Sequence, residues 1–253
     1  MSEEVLVGVN DCVLEVTINR PEAKNAMTKA VAEAIAAAMD RLDAEDDLRC
    51  AILTGAGGTF CSGMDLKGFL RGEMPVAGDR GFGGLTSWTP KKPVIAAVDG
   101  YALAGGMELA IACDMIVARK GAKFGIPEAK RGLVAAGGGV VALPRLLPRP
   151  LAMELALTGD PITAERAHEL GLVNAVTDGP AIEGARALAA RVAANGPLAL
   201  IASKGVICDS WLWADAEIIA RQTPYVGHVF ASEDAREGAM AFAEKRKPNW
   251  KGR

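Results

Sequence analysis

Apolar and polar positions change their rhythm several times along the chain. Residues 13–18 alternate (Val13, Leu14, Glu15, Val16, Thr17, Ile18), which predicts a half-buried strand, and Asn19, Arg20 and Pro21 end it. Over residues 28–42 the apolar positions Val31, Ile35, Met39 and Leu42 recur at helical spacing through an alanine-rich stretch. Residues 50–54, 93–98 and 114–118 are short apolar runs and read as buried strands. Between them, residues 65–71 suit a brief helix and residues 105–113 a longer one. Residues 72–89 are glycine-rich without a period and predict a mobile loop. Strand and helix alternate throughout this part, so an α/β core with crossover connections is expected.

Beyond residue 143 the pattern becomes helical. Helices are expected at about 150–157, 163–170, 181–194, 198–208, 211–222 and 232–245, with only residues 172–176 strand-like. Gly159, Gly171 and the break at Asn195, Gly196 and Pro197 punctuate them. A boundary falls at Gly196, dividing a core of residues 1–196 from a helical region of residues 197–253.

Composition narrows the classes. The 253 residues are 50% hydrophobic, too apolar for a disordered chain. A chain this long buries roughly three quarters of its unfolded surface and needs no staple. The net charge of −3 gives no basic footprint for nucleic acid. The odd set Cys12, Cys50, Cys61, Cys113 and Cys208 lacks metal-type spacing and reads as reduced thiols in a cytoplasmic protein. The acidic start lacks the pattern of a signal peptide. Residues 94–117 are long enough to span a bilayer, but Asp99, Glu108 and Asp114 within them favour a soluble core.

Little catalytic chemistry survives inspection. His168 and His228 are the only histidines, and each reads as a surface or interface residue. Without a paired histidine or CxxC motif, metal catalysis is not expected. The glycines at 55, 57 and 58 follow a strand but fail the dinucleotide spacing. Two carboxylates remain. Glu108 lies in an apolar helical segment and is either half of a salt bridge or a working group, because an isolated buried charge costs too much. Glu128 follows a strand and a turn and is either a surface acid or that group's partner. Two carboxylates on one cavity can divide acid and base roles. Two glycine-bearing turns, at residues 60–66 and 104–106, also precede helices. They are either ordinary turns or two sets of free N–H donors aimed at one oxyanion.

The motifs together resemble the crotonase (enoyl-CoA hydratase/isomerase) superfamily over nearly the whole chain. They are Asn19-Arg20-Pro21 with Asn25-Ala26; Phe60 with Gly63-Met64-Asp65; residues 92–102 followed by Gly105-Gly106, Glu108-Leu109 and Cys113-Asp114; and Phe124-Gly125 with Pro127-Glu128, Gly132 and Gly137-Gly138. The resemblance implies an α/β fold, a crotonase-like spiral of ββα units with a helical C-terminal trimerisation region. It further implies a homotrimer or a homohexamer, an acyl-CoA thioester substrate, and no separate cofactor, since coenzyme A arrives as part of the substrate. By the same resemblance the backbone N–H groups of Met64 and Gly105 form an oxyanion hole. Glu108 and Glu128 hydrate a trans-2-enoyl thioester, with Glu108 as base and Glu128 as acid. Lys24, Ala26, Asp65, Leu66 and Lys67 line the coenzyme path, and Phe242 and Lys245 reach the nucleotide of a neighbouring subunit. Met64 departs from the small residue common at its position, and Ala104 from a common glycine. Neither departure is expected to matter much. Double-bond isomerisation, dehydration of a specialised hydroxyacyl-CoA and, remotely, RNA binding are the alternatives.

Overall fold

The computed structural model describes residues 4–253. A hairpin opens it: β1 (Val5–Asn10) pairs antiparallel with β2 (Val13–Ile18). Thr28 then caps α1 (Lys29–Ala44) by accepting from the Val31 N–H, which satisfies one of the helix's free donors. The chain returns as β3 (Cys50–Gly55), passes the short α2 (Leu66–Leu70), and enters β4 (Val94–Val98). A sharp turn leads into β5 (Tyr101–Leu103), α3 (Gly105–Ala112), β6 (Met115–Arg119) and β7 (Lys123–Gly125). There follow α4 (Gly139–Leu146), α5 (Arg149–Thr158), β8 (Ile162–Thr163), α6 (Ala164–Glu169), β9 (Ala175–Thr177) and α7 (Ala181–Ala193). Helices α8 (Pro197–Asp209), α9 (Ile218–Phe230) and α10 (Glu233–Ala243) complete the order.

Six strands form the main sheet in the order β1-β2-β3-β4-β6-β9, parallel from β2 onward. Helices cover both faces, which is why β3 and β4 are continuous apolar runs. Side-chain alternation divides the core. Leu14, Val16, Leu53, Ala96 and Val98 face α1 and α3, while Val13, Cys50, Ile52, Ile95 and Ala97 face Ala181, Ala185 and Ala189 of α7. A second sheet, in the order β5-β7-β8, branches off where β4 ends. That branch carries the chemistry-bearing turns.

Two expectations need correction. Residues 72–89 are pinned rather than mobile. Leu85 is buried, the Arg80 guanidinium lies 3.8 Å from the Trp88 ring centroid, and Arg80 also pairs with Asp40. Gly84 serves close approach: a Cβ there would lie 2.3 Å from the Ala32 carbonyl oxygen of α1, whereas one at Gly72 or Gly78 would meet nothing within 4 Å. The helix expected at residues 211–222 is instead two 3-10 turns, Ser210–Leu212 and Asp215–Glu217, followed by α9, which continues past Pro224. Tertiary contacts hold it there, because Tyr225 packs over Gly205 of α8 and donates to the Asp209 carboxylate. Residues 197–253 are joined to the rest by Lys204, whose buried ammonium donates to the Lys92 carbonyl at 2.9 Å and to Asp114 at 2.6 Å. Among the described residues, no helix is long and apolar enough to cross a membrane.

Candidate active site

The site is assembled by backbone stitching. Along β5, the Cys61 N–H donates to the Tyr101 carbonyl at 2.9 Å and the Leu103 N–H to the Cys61 carbonyl at 3.1 Å. On the other side, the Met27 N–H donates to the Gly63 carbonyl at 2.8 Å and the Asp65 N–H to the Met27 carbonyl at 3.0 Å. Met64 is thereby fixed between two segments with its own N–H free. The start of α3 abuts the same turn: a Cβ on Gly63 would lie 2.8 Å from that of Ala104 and 3.3 Å from the Gly105 nitrogen. Among the described residues, neither the Met64 N–H nor the Gly105 N–H has a protein acceptor. Two free donors on adjacent turns, one at a helix N-terminus, suit an anionic oxygen.

Position 104 explains how Gly105 is presented. Ala104 sits at φ 54°, ψ −130°, a conformation that L residues rarely adopt. Its N–H donates to the Gly125 carbonyl at 2.9 Å, tying the start of α3 to the end of β7. A methyl group at 104 thus adds backbone strain at this turn.

The same tie sets the start of α3, which bears Glu108, against the end of β7, from which the chain runs on to Glu128. Glu108, in the first turn of α3, is 4% exposed and has no ion-pair partner among the described residues, so the salt-bridge alternative falls away. Its Oε1 accepts from the Gly139 N–H at 2.8 Å, and the Gly137 backbone donates to it as well. Burial raises its proton affinity and these two donors oppose the rise. Glu128 lies in a 3-10 turn, Pro127–Arg131, entered through Pro127 and closed by Gly132 in the left-handed conformation. It is half-buried, and its Oε2 is buried with no hydrogen-bond partner among the described residues. Burial raises its proton affinity too; a hydrogen bond from its own backbone N–H and the charge of Arg131 oppose the rise, and the charge of Glu108 adds to it.

Residues absent from the expected set pack around Glu108 and Gly105. A Cβ on Gly137 would lie 2.7 Å from Glu108 Oε2, and one on Gly139 would lie 3.0 Å from its Cγ. Both glycines are where the carboxylate needs room. Phe82 presses its ring onto Gly105, with Cζ 2.2 Å from where a Cβ would stand. An aromatic amid Gly81, Gly83 and Gly84 was the one available signal for it. Arg20 ties the Met64 turn from outside, pairing with Asp65 at 3.0 Å and donating to the Ala26 carbonyl.

The residues expected along the coenzyme path divide. Lys24, Ala26, Asp65, Leu66 and Lys67 cluster at the Met27–Met64 bridge. The Lys24 ammonium lies 5.7 Å from the Tyr101 ring centroid. Asp65 also has a local task, capping α2 by accepting from the Lys67 and Gly68 N–H groups. Asn25 is fully buried and bonds Arg20, Ala56 and Thr59, which gives its motif a structural reason. Phe242 and Lys245 stand apart at the exposed end of α10, where Phe242 is 88% exposed. Other chemistry is poorly served. Burial holds the Cys61 thiol up to about 12, and no three metal-ligating side chains cluster among the described residues.

Two buried or half-buried carboxylates and two free backbone donors lie on a fold of mixed strands and helices, and the sequence pattern of the enoyl-CoA hydratase/isomerase family matches residues 8–253. The chain belongs to that family. It is 43% identical to an enoyl-CoA hydratase, EchA19, of Mycobacterium tuberculosis, covering 99% of this chain and 97% of that one. It is 42% identical to a carnitinyl-CoA dehydratase of Salmonella typhi, with both chains covered completely. The crystal structure of an enoyl-CoA hydratase, EchA1, from Mycobacterium marinum superposes with a TM-score of 0.96 at 56% identity, over 99% of each chain.

Proposed function

We propose that the protein is an enoyl-CoA hydratase, adding water across the C2=C3 bond of a trans-2-enoyl-CoA thioester to give a 3-hydroxyacyl-CoA. The observation that carries this reading is the buried Oε2 of Glu128, which has no hydrogen-bond partner among the described residues, together with the anchored Glu108 whose charge raises the proton affinity of Glu128. A water hydrogen-bonded by both carboxylates would satisfy that oxygen and sit over C3. Glu108, ionised, takes a proton from the water as its oxygen bonds to C3. Glu128, protonated, delivers a proton to C2. Negative charge gathering on the thioester oxygen is met by the Met64 and Gly105 N–H groups, each worth about 3 kcal/mol in such sites. The pair ends with its proton on Glu108 and resets by transfer between the two.

The reverse direction, dehydration of a hydroxyacyl-CoA, uses the same groups, and the likeness to a carnitinyl-CoA dehydratase favours it as a second reading. Exposed apolar side chains on α8, α9 and the turn between them, Ile207, Trp211, Leu212, Ile219 and Phe230, favour burial against further copies of the chain. In a homotrimer or homohexamer, Phe242 and Lys245 would meet a neighbour's coenzyme.

The test is turnover of crotonyl-CoA in ¹⁸O-labelled water, followed by loss of enoyl absorbance and by mass. The wild type is expected to place label on C3, and Glu108→Gln or Glu128→Gln to slow the reaction about a thousandfold. Conversion of a 3-enoyl thioester without label uptake would make it an isomerase instead. Faster conversion of a 4-trimethylammonio-3-hydroxybutanoyl thioester would favour the second reading.

A further inference from the structure

Phe82 bridges the two halves of the site. Its ring atoms Cζ, Cε1 and Cε2 lie 2.2, 2.5 and 2.7 Å from the point where a Cβ of residue 105 would stand. At its other end, its Cβ lies 3.2 Å from the corresponding point on Gly137, which is itself 2.7 Å from Glu108 Oε2. The side chain thus runs from the shoulder of Glu108 to the residue that presents the oxyanion donor. An acyl group with its carbonyl oxygen on Gly105 and its C3 over Glu108 must carry its remaining carbons past this ring.

The ring's backbone has little freedom to yield. The Gly83 N–H donates to the Pro75 carbonyl at 2.9 Å, and the Phe82 carbonyl accepts from Leu85 and Thr86. Gly83 and Gly84 hold φ 60° and 71°, pressed against Leu109 of α3 and against Ala32 and Ala36 of α1. Leu85, next in the chain, is 1% exposed and belongs to the main core. Moving Phe82 aside would unseat this core residue, so the wall resists displacement.

We propose that Phe82 is the specificity-determining residue that ends the acyl pocket, restricting the protein to short-chain acyl-CoA thioesters. The proposal rests on the hydratase reading for where the acyl group lies. Its test needs no turnover: calorimetric binding of butyryl-CoA and dodecanoyl-CoA, both saturated and unreactive. Wild type is expected to bind butyryl-CoA about tenfold or more tightly than dodecanoyl-CoA, and Phe82→Ala to erase that preference, moving the ratio of dissociation constants by at least about tenfold. Phe82→Leu, which keeps an apolar side chain on the core, is expected to fall between them and serves if the alanine variant does not fold. A ratio unmoved by either substitution overturns the proposal, as does equal wild-type affinity for the two. Length discrimination by a protein that hydrates nothing would remove the hydratase reading and leave this wall in place.

Discussion

Glu108 and Glu128 are close enough for the charge of one to raise the proton affinity of the other, yet they are held differently. Glu108 grows from the first turn of a helix, almost fully buried, in a cradle of two backbone donors supplied by Gly137 and Gly139. Glu128 rides a short 3-10 turn, half-buried, with one oxygen lacking any partner among the described residues. Burial raises the proton affinity of both; the Gly139 and Gly137 donors oppose the rise at Glu108, while at Glu128 its own backbone N–H and Arg131 oppose it and the charge of Glu108 adds to it. In the proposed mechanism it is this difference in surroundings that divides base from acid between two chemically identical side chains. The titration belongs to the pair as a whole.

The cradle can be broken on one side only. In Gly137→Ala the new methyl would collide with the end of the Glu108 side chain rather than with backbone, so the fold should survive while the carboxylate is displaced. A loss of about a hundredfold in kcat with a melting temperature within a few degrees of wild type is expected, read by steady-state hydration and thermal unfolding. An unchanged kcat would mean that the anchoring of Glu108 is irrelevant.

A pH series sharpens the contrast. One carboxylate ionised and one protonated is the working state, so kcat/KM is expected to be bell-shaped. Because both affinities are raised, the alkaline limb should lie above the ordinary carboxylate range. In Glu128→Gln that limb should vanish from the residual activity, since an amide has no such proton to lose. The folded chain also holds protons that the unfolded chain has already released. Stability therefore falls as pH rises from the ordinary carboxylate value through the raised one. Glu108→Gln should melt higher than wild type at pH 8 and lose that advantage at pH 4.

The smallest effect concerns the strain carried by the helix of Glu108. Ala104→Gly removes a side chain from φ 54° and is expected to stabilise by about 1 kcal/mol. The turn of Glu128 has no counterpart, since its left-handed position is already Gly132. Thermal unfolding at fixed pH reads the gain, and a loss of stability would show that the Ala104 methyl supports the turn.

What the sequence disclosed follows from which forces are local. The strands Val13–Ile18, Cys50–Gly55 and Val94–Val98 and the helix Lys29–Ala44 were legible because burial imposes a period on consecutive residues. The short strands Tyr101–Leu103 and Ile162–Thr163 carry too few residues to show one. The glycine at position 84 looked like flexibility and proved to be close packing against α1, which only the partner surface reveals. Glu108 and Glu128 stood out as acids near apolar and turn residues, and the motif resemblance supplied their pairing. Phe82 and Gly139 were not singled out, because their roles depend on a neighbour distant in the chain.

A double-substitution cycle on Glu108 and Glu128 tests the central idea most directly, with kcat for crotonyl-CoA measured in wild type, Glu108→Gln, Glu128→Gln and the combined variant. If the two carboxylates act as a unit on one water, each single change costs about a thousandfold and the combination no more than about tenfold beyond either. Losses that multiply, or a single change without effect, would contradict a shared water.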